Sequence, residues 1–133
     1  MGLFGPSIYM VLLAFGAMAT PGVGIAGSML AVFPQPVTEY SHAPAYALLT
    51  WLLASSLRNR GWSKPMALWL GVTAAMAFGI WMEFLQGFVP ARTVDIRDVA
   101  FNAIGIGLAA LVIRAAPEPR AFTFATKFLR SRK

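Results

Sequence analysis

Residues 66–89 read MALWLGVTAAMAFGIWMEFLQGFV and contain one ionisable side chain, that of Glu83. A helix needs about 20 consecutive apolar residues to cross the roughly 30 Å hydrocarbon core of a bilayer. This stretch is longer than that, and it lacks the alternation of apolar and polar residues that is typical of membrane-barrel strands. It therefore predicts a membrane-spanning helix and decides the class of fold.

Three further apolar segments lie at about residues 3–19, 43–57 and 99–116. The first and the last reach the lower limit of about 17 residues for a span, and the second does so only if its helix begins near Thr38. The chain of 133 residues is 58% hydrophobic and only 12% charged, and it has no cysteine. This composition argues against a disordered chain, a disulfide-bonded scaffold and a water-soluble enzyme domain, since a small soluble fold cannot bury so much apolar surface.

The four segments predict an all-α polytopic membrane protein, built as a four-transmembrane-helix bundle in one domain over residues 1–116. Residues 21–37 are interrupted by glycines and bounded by prolines, and their apolar run is too short to span. We expect an interfacial or re-entrant segment there, with a plain loop as the alternative. Residues 117–133 form a basic tail that is expected to be cytoplasmic, either as an interfacial helix or as a simple positive flank.

Basic residues set the expected orientation, because cytoplasmic loops of membrane proteins are enriched in Lys and Arg. Nine of the eleven basic residues lie between the second and third segments or at the C-terminal end, whereas Arg92 and Arg97 lie on the other side. The distribution predicts a multi-pass protein of the cell inner (cytoplasmic) membrane with both termini in the cytoplasm.

Polar residues collect on the predicted outer side. Four of the five acidic residues and the only histidine lie at outer helix ends or in the outer loop, which we expect to contain Arg97 and Asp98. At helical spacing, Glu83 and Gln86 share a face with small residues below them. Asp98 shares a face in the same way with Asn102. We therefore expect three polar helix ends to meet in one inward-facing cluster.

Glu83 is the most informative of these residues. An ionised carboxylate inside a membrane costs up to about 3 kcal/mol and must be paired, protonated or hydrated. We place Glu83 roughly 9 Å below the end of its helix, at 1.5 Å per residue. Arg92 is the first candidate for its cationic partner and His42 the second. Gln86 and Asn102 can equally serve only to hold helices together.

Residues 83–105, EFLQGFVPARTVDIRDVAFNAIG, closely resemble the signature of the VanZ-like family, E-x-x-Q-x-F-x-P-x-R-x-x-D-x-x-D-x-x-x-N-x-x-G. All nine fixed positions match at the family's spacing. His42 and Tyr46 fit a second family element, a histidine followed four residues later by tyrosine at the start of a membrane helix. Thr38 and Glu39 stand where members often carry Asp-Lys. The resemblance covers roughly residues 38–110.

The resemblance implies a small multi-helix membrane protein with a ligand-binding site. The family's namesake is linked to resistance to teicoplanin, a glycopeptide antibiotic that acts on cell-wall precursors outside the membrane. We expect the site to bind an anionic envelope ligand, such as a lipid-linked phosphate or a cell-wall precursor, with Arg92 as the anion anchor because its planar guanidinium grips phosphate or carboxylate. The expected site residues are His42, Tyr46, Glu83, Gln86, Arg92, Asp95, Asp98 and Asn102.

Two other classes of function stay open. An accessory subunit of a larger complex would pack Gly- and Ala-rich faces against other membrane subunits. A membrane enzyme acting on a lipid phosphate would use the carboxylates and histidine for acid–base chemistry, or Asp95 and Asp98 to share a divalent ion. The chain lacks a phosphate loop and zinc-ligand spacing, which argues against catalysis. We expect no cofactor, because a lone histidine at a helix end is more often a hydrogen-bonding group than a ligand of haem or chlorophyll, and we expect no metal site. Membrane lipids are the expected partners and nucleic acid is not.

Overall fold

The computed structural model describes residues 4–19, 28, 32, 35–89 and 94–117, and these ranges contain helices and no strand. The helices are α1 (Phe4–Met18), α2 (Gln35–Arg58), α3 (Lys64–Gln86) and α4 (Ile96–Ala115). The prediction of an all-α fold is thus confirmed for the part of the chain that is described. The expected interfacial segment at 21–37 lies mostly outside these ranges, as do Arg92 and the tail at 118–133.

Two boundaries differ from the prediction. Helix α2 begins at Gln35, upstream of Thr38, and its 24 residues make it longer than the apolar segment alone suggested. Helix α4 begins before the apolar segment does, because the Asp95 side chain caps it by accepting the backbone N–H of Arg97 at 2.8 Å. The prediction that Arg97 and Asp98 lie in a loop is therefore wrong, since both belong to the first turn of α4.

Contacts near the helix ends show how the helices run relative to one another. The Gln86 side chain at the end of α3 donates to the Ala17 carbonyl at the end of α1, at 3.2 Å. Lys64 at the start of α3 donates to the Arg114 carbonyl near the end of α4, at 3.0 Å. Helix α2 begins beside the start of α4. Successive helices are therefore antiparallel.

One end of this arrangement, which we call the polar end, joins the ends of α1 and α3 to the starts of α2 and α4. The opposite end, which we call the basic end, joins the start of α3 to the ends of α2 and α4. Lys64, Arg58 and Arg114 lie at the basic end.

Glycine brings α2 and α4 into backbone contact. A Cβ atom built on Gly105 would lie 2.7 Å from the carbonyl carbon of Ala43 and 2.9 Å from its Cα. These separations are well inside the 3.5–4.0 Å of favourable carbon–carbon contact, so no larger residue fits between the two backbones without a shift. Ala43 directly follows His42, and the crossing therefore fixes the histidine against α4.

The interior combines an apolar core, formed by Tyr46, Leu49, Ala75 and Ile106, with buried polar side chains, whereas the exterior is apolar. Thr50, Ser56, Gln86 and Asn102 are all at most 5% exposed, as is Glu83. Large apolar side chains face outward on α1, α3 and α4; examples are Phe4, Val11, Phe15, Trp69, Ile80, Leu108, Leu111 and Val112. Two helices, α3 with 23 residues and α4 with 20, are long and apolar enough to cross a membrane. Helix α1 is apolar but has 15 residues.

Candidate functional site

His42 lies on the first turns of α2 with both ring nitrogens facing α4. Its Nδ1 is 3.1 Å from the side-chain oxygen of Asn102, and its Nε2 is 3.7 Å from a carboxylate oxygen of Asp98. Asp98 and Asn102 are four residues apart, so they lie on one face of α4. Asn102 contacts one ring nitrogen of His42 and Asp98 faces the other. The ring lies nearly parallel to that of Tyr46 one turn below it, with an interplanar angle of 8°.

Glu83 brings α3 into the same cluster. Glu83 is 4% exposed, and its carboxylate accepts a long hydrogen bond, 3.4 Å, from the backbone N–H of Asp95. One ligand-type atom each of His42, Glu83 and Asp98 lies within 4.8 Å of the other two. The structure thus brings together three of the predicted site residues, each from a different helix.

The depth of Glu83 differs from the prediction. Helix α3 ends at Gln86 and not near Val89, so Glu83 belongs to its last turn. Three residues at 1.5 Å each place it only about 4.5 Å from the helix end. The carboxylate is buried by α2 and α4 rather than by distance from the end of its own helix.

Small residues on α3 make room for this cluster. A Cβ atom on Gly79 would lie 3.1 Å from the Asn102 amide nitrogen and 3.0 Å from the Tyr46 ring. Gly79, Ala75 and Gly71 are all buried, which confirms that the small-residue stripe of α3 faces the bundle interior. Because Gly79 has no side chain, α3 approaches α2 and α4 closely enough for Glu83 to reach the histidine.

Two predicted site residues have other partners. Gln86 is 3% exposed and ties α3 to α1 through the Ala17 carbonyl. The Asp95 carboxylate caps α4 through the backbone N–H of Arg97. Asp98 instead faces His42, so the structure does not pair Asp95 with Asp98 around a shared ion. Arg92 belongs to the segment between Val89 and Val94, outside the described residues, and its predicted role stays a prediction.

Sequence reasoning missed two contacts that shape the site. The backbone N–H of Asp95 contacts the Glu83 carboxylate, and Gly105 admits the backbone of Ala43 next to His42. The first leaves no signal in the sequence, since any residue but proline supplies an N–H. The second has a signal, because Gly105 stands one turn after Asn102 at a fixed position of the family signature.

The cluster is rich in hydrogen-bond acceptors. Glu83 and Asp98 together present four carboxylate oxygens, and His42 presents an imidazole nitrogen. Acceptors that are buried in apolar surroundings need a hydrogen-bond donor or a positive charge, because burial without one costs roughly 2–7 kcal/mol. The arrangement is therefore suited to holding a cation, an ammonium or a guanidinium group.

Comparison with known proteins identifies a family but no individual relative. A family model described as VanZ/LLP1 matches residues 8–117, which is most of the chain. No curated protein and no solved structure matches the chain. The match includes the described helices α2, α3 and α4 and therefore the whole cluster of His42, Glu83, Asp98 and Asn102.

Proposed function

Because the chain belongs to the VanZ/LLP1 family, we propose that it is a multi-pass membrane protein whose polar end binds an anionic ligand of the cell envelope. A lipid-linked phosphate or a cell-wall precursor is the chemical class we assign. The observation that carries the proposal is the convergence of His42, Glu83 and Asp98 within 4.8 Å at one end of a bundle with an apolar exterior.

The distribution of polarity supports a membrane location. An apolar helix in the core of a soluble protein is mostly buried, but only 28% of the apolar window of α3 and 22% of that of α4 are buried. The buried side chains include Thr50, Ser56 and Asn102, while aromatic and aliphatic side chains face outward. Apolar exteriors around closely packed interiors that contain polar side chains are typical of helices that associate in lipid.

The two ends of the bundle support the orientation of the site. Lys64, Arg58 and Arg114 collect at the basic end, opposite the cluster. Cytoplasmic ends of membrane proteins carry the excess of Lys and Arg. In this orientation both chain termini are cytoplasmic and the polar end lies at the outer leaflet of the cytoplasmic membrane, where envelope precursors are exposed.

Arg92 is the group to which we assign the anion. Glu83 and Asp98 repel an anion and are suited instead to holding a guanidinium in place, as their convergence in an apolar surrounding favours positive charge. A guanidinium held in this way presents its remaining N–H groups to a phosphate or carboxylate in a bidentate arrangement. In the sequence Arg92 lies between the helix of Glu83 and the cap of the helix of Asp98.

The proposal is tested by binding of a polyprenyl phosphate to the purified protein in lipid nanodiscs, with the uncharged polyprenol as the ligand control. The Arg92→Ala variant should lose binding of the phosphate. Arg97→Ala is the matched control, because it also removes one arginine but from an exposed position, and it should bind as the parent does. In producing cells, teicoplanin susceptibility should follow binding. If Arg92→Ala binds the phosphate as strongly as Arg97→Ala, the proposal is refuted.

A further inference from the structure

We propose that His42, Glu83 and Asp98 form a binding site for one divalent transition-metal ion of the Zn²⁺ or Mn²⁺ type. The inference goes beyond the envelope ligand, because it rests on side chains in the described helices and needs no contribution from Arg92. Each carboxylate offers one oxygen to the ion, and its second oxygen can still accept from the Arg92 guanidinium of the proposed function. Its evidence lies in the spacing of the three side chains, in the orientation of the imidazole and in the charge of the set.

The spacing of the three ligand atoms fits a metal ion. Metal–ligand distances to imidazole nitrogen and carboxylate oxygen are about 2.0–2.4 Å, so two ligands on opposite sides of an ion are at most about 4–5 Å apart. The ligand atoms of His42, Glu83 and Asp98 all lie within 4.8 Å of one another. The three residues come from α2, α3 and α4, so packing of the bundle, and not sequence adjacency, holds them there.

The imidazole is oriented as it is in metal sites. The side-chain oxygen of Asn102 lies 3.1 Å from Nδ1 of His42. When it accepts a hydrogen bond from that nitrogen, the neutral ring carries its hydrogen on Nδ1 and its lone pair on Nε2. That lone pair faces the Asp98 carboxylate oxygen at 3.7 Å, beyond hydrogen-bond distance. In the neutral ring this lone pair and the carboxylate repel each other unless a cation lies between them, whereas a protonated ring would pair with the carboxylate directly. Metal-binding histidines commonly donate their other ring N–H to an outer oxygen in this way.

The charge and the ligand atoms of His42, Glu83 and Asp98 indicate which kind of ion fits the site. Two carboxylates carry two negative charges, which one divalent ion neutralises. Glu83 is 4% exposed, and a charge buried to that extent is costly unless an opposite charge balances it. The nitrogen ligand favours a transition metal such as zinc over calcium or magnesium, which take oxygen ligands, and the two carboxylates also suit manganese. Three protein ligands leave further coordination positions for water or for an anionic oxygen.

The test is a metal titration of the full chain, purified without a histidine tag and treated with chelator. His42 is the only histidine of the chain, so no other imidazole competes. Calorimetry with Zn²⁺ and with Mn²⁺ should give one ion per chain. His42→Ala, Glu83→Gln and Asp98→Asn should each weaken binding by more than the 10- to 100-fold that loss of an outer partner typically costs.

Two further variants sharpen the result. Asn102→Ala keeps all three ligands and removes only the partner of Nδ1, so it should weaken binding by about 10- to 100-fold. Glu39→Gln removes a carboxylate of α2 outside the set and should bind as the parent does. Glu83→Gln changes the most buried of the three ligands and is therefore the variant most prone to misfold. Asp98→Asn then supplies the ligand test, because the Asp98 side chain is 16% exposed.

The possible outcomes separate clearly. Stoichiometric binding that the three ligand variants weaken and Glu39→Gln does not supports the site. A parent chain that takes up no Zn²⁺ and no Mn²⁺ overturns it and means that a protonated His42 or an arginine balances the carboxylates. Binding that is equal in Asp98→Asn and Glu39→Gln also overturns it. Neither failure touches the polyprenyl phosphate test, which is read on Arg92.

Discussion

Replacing Gly105 with alanine adds one methyl group at the crossing of α2 and α4. The new Cβ would lie 2.7 Å from the carbonyl carbon of Ala43, and the obstacle is backbone, which cannot rotate away as a side chain can. The Ala43 carbonyl oxygen is closer still. To reach the roughly 3.5 Å at which carbon atoms make favourable contact, the two helices must therefore separate locally by at least about 0.8 Å. The change is therefore small in volume but acts directly between two helices of the site.

The separation reaches the candidate site because Ala43 adjoins His42 and Gly105 lies one turn after Asn102. The hydrogen bond between His42 and Asn102 is 3.1 Å long, and lengthening by at least about 0.8 Å takes it beyond the range of a hydrogen bond. Overpacking of this kind costs about 1–3 kcal/mol. We expect Gly105→Ala to lose that much stability and to disturb the histidine.

The assay is reversible denaturation of the purified protein in detergent, followed by helical circular dichroism. Gly107→Ala is the matched control, since it makes the same change on the same helix where a Cβ meets nothing within 4 Å. A buried clash is absent there, and a helical Gly→Ala exchange is expected to stabilise by roughly 0.5–1 kcal/mol. If Gly105→Ala is as stable as Gly107→Ala, the close crossing of α2 and α4 does not exist and the reasoning fails.

Two further predictions concern single hydrogen bonds. Tyr9→Phe removes the hydroxyl that donates to the Ala45 carbonyl at 3.2 Å, so it should lower the free energy of unfolding by about 0.5–1.5 kcal/mol; an unchanged unfolding curve would mean that α1 does not dock on α2 there. Asp95→Ala removes the N-cap of α4, at 2.8 Å from the backbone nitrogen of Arg97, and should cost about 0.5–2 kcal/mol. Faster amide exchange in the first turn of α4 checks the cap, and unaltered exchange would contradict it.

The helices of the fold follow from the sequence because their apolar segments are long. Residues 66–89 and 99–116 each predict a helix, and α3 (Lys64–Gln86) and α4 (Ile96–Ala115) lie within a few residues of them. The start of α2 was harder to place, since the stretch that follows Gln35 is polar and contains Pro36 and Pro44. Hydropathy carries no information about a helix whose first turns are polar.

The site could be predicted in part because its residues repeat at helical spacing. Asp98, Asn102 and Gly105 share one face of α4, and that face predicts contact with other helices. Which residue meets which across the helices depends on rotation and crossing distance, which sequence does not encode locally. The pairing of His42 with Asn102 and the assignment of Asp95 to a helix cap therefore needed coordinates.

The convergence of three helices on one histidine is the central claim, and the ring nitrogens of that histidine report it directly. Since His42 is the only histidine, a metal-free sample labelled with ¹⁵N-histidine gives a single imidazole to follow by NMR. Glu83→Gln and Asp98→Asn, which lie on the other two helices, should each shift its ring ¹⁵N signals, and Glu39→Gln should shift them less. Ring signals that coincide in the parent, Glu83→Gln and Asp98→Asn would contradict the account.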